Sequence, residues 1–218
     1  MSLRALHFNS IVISSVLLLI ASAHAGPPPT SVPTRKAAAI APDPRIQIVI
    51  ANRGTIVAQL FSRMAPKTTA HILALVRKKF YDHLLFHSVT KGFMAITGDP
   101  KSRTIDGAKI ANLADVDIVE KYRLGSGRSG SNVPLEPGLS HTRGTLGLLR
   151  SERSINSGDC QFFFNLADNR TNDVVYTVFG VVIQGLDVMD KISQGDRITS
   201  IRIATSQLPA YAQPVPKK

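Results

Sequence analysis

Cysteine and tryptophan are almost missing: Cys160 is the only thiol among 218 residues, and there is no Trp. One thiol closes no internal disulfide, so the fold must be held by its core alone. Nor does it supply a thiolate cluster for a metal. His83 and His87 have i,i+4 spacing but fall across a turn and a strand, with no carboxylate cluster beside them, so no metal is expected. Acidic residues are few, 15 against 26 Lys and Arg, giving a formal net charge of +11. That charge favours anionic surfaces in general. The cations are scattered, however, as in Arg77-Lys78-Lys79 and Lys217-Lys218, without aromatic interleaving, so no specific nucleic-acid partner is expected. Long apolar runs are lacking too. Residues 11–21 form the longest, short of the ~20 residues a spanning helix needs.

What is present at the N-terminus fits export. Arg4 precedes the apolar run and Ala23-His24-Ala25 follows it, the pattern of a signal peptide over residues 1–25, cleaved after Ala25. The expected location is periplasmic or secreted, with no transmembrane segment after cleavage and no Cys behind the cleavage site to carry a lipid. Residues 26–45 are rich in Pro and Ala, without apolar periodicity, and read as an extended linker. The folded domain is expected over residues 46–206 and a disordered tail over 207–218.

Within the domain, residues 46–51 and 55–61 flank Asn52-Arg53-Gly54 as an opening hairpin. Pro66 fits a first helical turn, and Thr69, Ile72, Leu73, Val76 and Phe80 recur at helical spacing, which predicts a helix over residues 66–79. Residues 144–150, 161–166 and 177–182 are further strands rich in branched and aromatic residues. A second, short helix opens at Gly185 and runs to about Ser193, and residues 197–205 form a closing strand. Residues 101–143 carry little pattern. They include Gly125-Ser126-Gly127-Arg128-Ser129-Gly130, formally G-x-G-x-x-G. No strand leads into it, and Pro134 and Pro137 prevent the helix whose N-terminus would hold a phosphate, so it reads as a loop.

The most informative stretch is residues 86–100, FHSVTKGFMAITGDP. Lys91-Gly92 between two alternating apolar runs signals a hairpin of residues 86–90 and 93–97. Alternation places Phe86, Ser88 and Thr90 on one face with His87 and Val89 on the other, and separates Phe93 and Ala95 from Met94 and Ile96. A nucleophile–base pair of Ser88 and His87 is thereby excluded.

This stretch resembles the central segment of the cyclophilin-type peptidyl-prolyl isomerases, FHRV-x-x-GFM-x-QGGDP. GTLGLLR (144–150), NSGDCQFFFNL (156–166) and YTVFGVVIQGLDVMDKI (176–192) resemble further family segments, in the right order. From pattern alone the chain is mostly β, barrel or sandwich. The resemblance implies a closed eight-stranded antiparallel barrel capped by two helices. It further implies a monomer without cofactor that acts on X-Pro bonds of proline-containing peptides or unfolded exported proteins. It assigns the proline-ring pocket to Phe93, Met94, Phe163 and Tyr176, with Leu148, Leu149 and Asn172 on the rim. Gln161 would hydrogen-bond the peptide, and His87 would flank the site. Cys160, in the Ser position of the family's SQFF, is a small buried filler. Two substitutions bear on catalysis: Ser88 stands where the family has its catalytic Arg, and Ile96 where it has Gln. Reduced isomerase activity is therefore expected. The alternative is a catalytically silent, chaperone-like domain that binds proline peptides. Arg150 and Arg103 are the nearby cations that could replace the missing one.

Overall fold

Ile46, Ile48 and Ile50 alternate with Gln47 and Val49, and Ile56, Ala58 and Leu60 with Val57 and Gln59; all six inward residues are buried. They make the first two strands of an eight-stranded antiparallel sheet in the computed structural model, which describes residues 42–204. The expected signal peptide, residues 26–41 of the expected linker and the expected tail lie outside the described residues. The strands are β1 (Arg45–Ile50), β2 (Gly54–Leu60), β3 (Ser88–Thr90), β4 (Met94–Thr97), β5 (Thr145–Leu148), β6 (Phe162–Asn165), β7 (Thr177–Gln184) and β8 (Ile198–Ile203). Their order across the sheet is β3-β4-β6-β5-β7-β2-β1-β8.

The expected closed barrel is corrected: the sheet is an open half-barrel whose edge strands, β3 and β8, share no ladder. The physical reason lies in the short β3. Ahead of it the chain meets the segment before β8 through a single bridge, Leu85 to Arg197, and a few backbone bonds. Phe86 N–H donates to Asp196 O (2.8 Å) and Ile198 N–H to Leu84 O (2.8 Å). The two chains touch there without running on as paired strands.

The expectation of two helices is corrected as well, because the described residues hold three α-helices. α1 (Pro66–Arg77) buries Ile72, Leu73 and Val76 against the sheet interior. Its N-cap, Ala65, offers no side-chain acceptor. Glu136, far along the chain, serves instead, accepting from Lys67 N–H (3.0 Å) and Thr68 N–H (2.8 Å). A carboxylate there also suits the positive end of the helix dipole. α3 (Leu186–Asp190) buries Val188 and Met189. The unforeseen helix is α2 (Asp115–Tyr122), inside the stretch that carried little pattern; its Ile118 packs with Leu85, Ile110 and Leu124 in a separate small cluster.

Inward residues of β4, β5 and β6, among them Ala95, Leu146, Phe162 and Phe164, join the main core. Their neighbours point out, and that outward face carries the candidate site.

Candidate active site

Strand register puts one row of residues side by side on the outward face. Ser88 pairs with Ile96, Ile96 with Phe163, and Phe163 with Gly147. The next row holds Thr90, Met94 and Asn165. Ser88, Met94 and Ile96 are half-buried, and Phe93, at the end of the Lys91-Gly92 turn, is 41% exposed. The alternation expected through residues 86–90 slips at its start: Phe86 belongs to the interior, not to the face of Ser88. The reason is that the β3 ladder begins only at Ser88, so the residues before it are free of its pleat.

Phe163 is fully buried, and its neighbours explain why. A Cβ at Gly147 would collide with the Phe163 ring, so only glycine lets the ring lie against β5. His141 stacks on the ring (centroids 5.5 Å apart, planes at 15°), and Tyr176 meets it edge-on at 5.4 Å. The His141 ring is itself fixed. Its Nε2–H donates to Tyr176 O (3.2 Å), because a carbonyl can only accept, and its Nδ1 accepts from Asn165 Nδ2 (3.0 Å). This is the neutral tautomer. Burial pushes the His141 pKa below its ordinary value, against the Tyr176 carbonyl and Asp173, which pull it up.

A second wall is built by the Gly125–Gly130 loop. Three of its backbone donors, of the kind a phosphate would need, go to the chain's own carboxylates. Asp99 Oδ2 accepts from Gly125 N–H (2.6 Å) and Gly127 N–H (3.0 Å), while its Oδ1 accepts from Lys101 N–H (2.8 Å). Asp159 accepts from Ser129 N–H (2.8 Å) and from the Ser129 hydroxyl. The loop in turn takes up Gln161, whose Nε2 donates to Gly125 O and Gly127 O, both at 3.0 Å. Gln161 Oε1 is buried without a partner. Between this loop, Leu149, Arg150 and Gln161 lies a cavity of about 270 Å³.

Comparison with known proteins gives this arrangement its family. The family model described as "Cyclophilin type peptidyl-prolyl cis-trans isomerase/CLD" matches residues 45–207. The chain belongs to the cyclophilins. It is 36% identical over 162 residues to the "Probable peptidyl-prolyl cis-trans isomerase" of Brucella suis biovar 1 (strain 1330), covering 72% of this chain and 76% of that one. It is 31% identical over 160 residues to the peptidyl-prolyl cis-trans isomerase of Helicobacter pylori, covering 71% and 84%. Among solved structures, a cyclophilin of Cryptosporidium parvum is similar in fold, with a TM-score of 0.61 and 22% identity over 75% of this chain and 99% of that one. Family and relatives support prolyl isomerisation as the reaction of this cyclophilin.

Several residues named from sequence sit differently from expectation. Leu148 is placed in the interior cluster, 2% exposed, while its neighbour Leu149 lines the cavity. His87 is 3% exposed, and burial lowers its pKa against the pull of Asp99, Asp115 and the Leu85 carbonyl. Its Nδ1 has no partner. Gln161 has spent its donors on the loop, so only its buried oxygen remains for any ligand. Asn172 and Tyr176 are half-buried on one short segment, with Tyr176 N–H donating to Asn172 O (3.1 Å). Cys160 is fully buried, and burial pushes its thiol up to about 12, which leaves it unreactive.

Neither candidate replacement cation lies free. Arg103 is bound to the Phe80 and Asp82 carbonyls. Arg150 donates from Nε to Val175 O (2.6 Å) and from Nη1 to Ser151 O (2.8 Å), and its guanidinium stands 5.7 Å from the Tyr176 ring centroid. Sequence reasoning missed His141, Asn165, Asp99 and Asp159. Each acts through a partner distant in the chain, and no local spacing marks such a role.

Proposed function

We propose that this cyclophilin isomerises X-Pro bonds in exported polypeptides, as a monomer without cofactor, and turns over more slowly than members that carry the arginine. A proline ring would pack on Phe93, Met94, Ile96 and Tyr176, supported from below by Phe163, with Asn172 and Leu149 at the edges. The export pattern of residues 1–25 supports a periplasmic or secreted location and unfolded exported clients.

Rotation about the X-Pro bond meets a barrier of about 18–20 kcal/mol and takes tens to hundreds of seconds unaided. No bond is made or broken, so neither nucleophile nor general base is needed. The twisted imide has lost its resonance; its nitrogen becomes pyramidal and basic, and its carbonyl ketone-like. Catalysis therefore requires an apolar seat for the ring and donors that fit the twisted form better than the planar one.

The observation that carries the reduced rate is the row Ser88–Ile96–Phe163, which presents a short hydroxyl and an aliphatic chain beside the seat and no guanidinium. Losing one preorganised donor costs about 10²–10³ in rate where such sites have been dissected. NMR exchange spectroscopy on a proline tetrapeptide tests this reading with the wild-type protein, Ser88→Arg and the double variant Ser88→Arg/Ile96→Gln. The double variant should be faster by at least about tenfold. Unchanged rates with a folded protein would overturn the impaired-donor account. Peptide binding without measurable exchange in the wild type would favour the silent, chaperone-like alternative.

A further inference from the structure

Two arginines line the cavity of about 270 Å³ beside the proline seat, and neither has an acid to answer it. Arg128 donates from Nη1 to Ser157 O (2.9 Å), and Arg150 is tied to Val175 O and Ser151 O, so backbone carbonyls aim both guanidinium groups. Among the described residues, no carboxylate lies within ion-pair distance of either. The one acid in the lining, Asp159, is 2% exposed and already held by the Ser129 amide and hydroxyl, with His71 Nε2 at 3.5 Å. The cavity wall thus offers two oriented cations, the Ser126 and Ser151 side chains, and one carboxylate that is spoken for.

Size narrows the ligand. A cleft for a drug-sized molecule usually measures ~300–1,000 Å³, so this one suits a single side chain. Position narrows it further. Arg150 stands over the Tyr176 ring, which meets Phe163 edge-on, so the cation-lined cavity adjoins the proline seat. We propose that this cavity selects substrates by an acidic side chain, aspartate, glutamate or a phosphorylated serine, close in sequence to the isomerised proline. Planar guanidinium groups recognise carboxylate and phosphate through paired N–H donors, and Arg150 keeps its Nη2 uncommitted for this. The inference rests on the proposed peptide site and adds its substrate class.

The test is a series of proline pentapeptides with Glu, Gln or phosphoserine placed at each position around a fixed proline. Binding is followed by NMR titration of the full chain. At one position Glu should bind about tenfold tighter than Gln, and phosphoserine at least as well as Glu, with the preference shrinking as salt is raised. Arg128→Gln, at an exposed position, should cut the preference and leave Gln-peptide affinity unchanged. Arg150→Lys, which keeps the charge but loses the fork, should weaken it less than Arg150→Gln does. Equal affinity for Glu and Gln peptides at every position overturns this inference and leaves the proline site standing. So does a preference that survives Arg128→Gln and Arg150→Gln together, or inorganic phosphate shifting these residues when no acidic peptide is favoured. No binding by any peptide overturns the peptide site and this inference alike.

Discussion

The two sides of the proposed proline seat are built on opposite plans. On the β3–β4 side, Ser88 makes no hydrogen bond through its side chain among the described residues, and Ile96 offers only carbon. On the loop side a set of hydrogen bonds ties the wall to the chain behind it: Asp99 takes three backbone donors, Asp159 takes two groups of Ser129, and the Gln161 amide N–H groups are spent on Gly125 and Gly127. One wall has been stripped of donors, and the other is fastened from behind. On the proposed reading, substrate selection persists where transition-state stabilisation is weakened, since the former needs a rigid, charged wall and the latter a donor at the twisting imide.

The strongest way to break this contrast is to unlatch the fastened wall. Asp99→Ala removes a fully buried carboxylate and strands three backbone N–H groups. Hydrogen bonds to charged groups contribute about 1.5–3 kcal/mol each, and buried donors left alone cost more, so a loss of about 3 kcal/mol or greater is expected in urea unfolding. Amide exchange at Gly125 and Gly127 should rise more than at β5 and β6. Uniform loss of protection would show that Asp99 supports the whole fold and not this wall in particular. Asp99→Asn, which keeps an acceptor, should fall between the two.

A smaller effect is expected from Gly147→Ala, which acts on the floor shared by both walls. The new methyl must push the Phe163 ring away from β5, off the His141 face and toward the seat. Overpacking of this kind costs about 1–3 kcal/mol. Proline-peptide affinity should drop with it, because the ring would occupy space the ligand needs. A crystal structure with Phe163 unmoved and affinity intact would show that the floor is softer than the packing implies.

Much of the scaffold was legible because its signals are local. Ile46, Ile48 and Ile50 alternate, the Lys91-Gly92 turn sits between alternating runs, and Ile72, Leu73 and Val76 fall on one helix face. α2 was not legible, because only Ile118 of it is buried while Val116 and Val119 face solvent, which leaves no apolar stripe. Closure of the sheet was misjudged because it depends on how the chain before Ser88 meets Asp196 and Arg197, a contact between segments about a hundred residues apart. In the site, alternation alone grouped Met94 with Ile96 and separated Ser88 from His87. It could not foresee that Gly147 and His141 bury Phe163, or that a glycine-rich loop consumes the Gln161 amide. Those outcomes are set by neighbours across the sheet.

The mildest probe is pH, and it can tell which wall acid loosens first. Burial holds both His87, behind the stripped wall, and His141, under the floor, below the ordinary histidine value. In the unfolded chain they titrate near pH ~6.5. Below that point the unfolded state binds more protons than the folded one, so stability is complete above about pH 6.5 and declines as pH falls, levelling off only beneath the folded pKa values. Asp82, held below its ordinary value of 3.8 by its hydrogen bond to Arg202, adds a further loss only in stronger acid. His141→Gln can still accept from Asn165 and donate to Tyr176 O without titrating, so urea midpoints between pH 5 and 7 should slope less than in the wild type. His87→Asn should flatten the same slope independently, because the two histidines share no hydrogen bond. If only His87→Asn flattens it, the floor keeps its tautomer through acid and the stripped wall is where protonation enters.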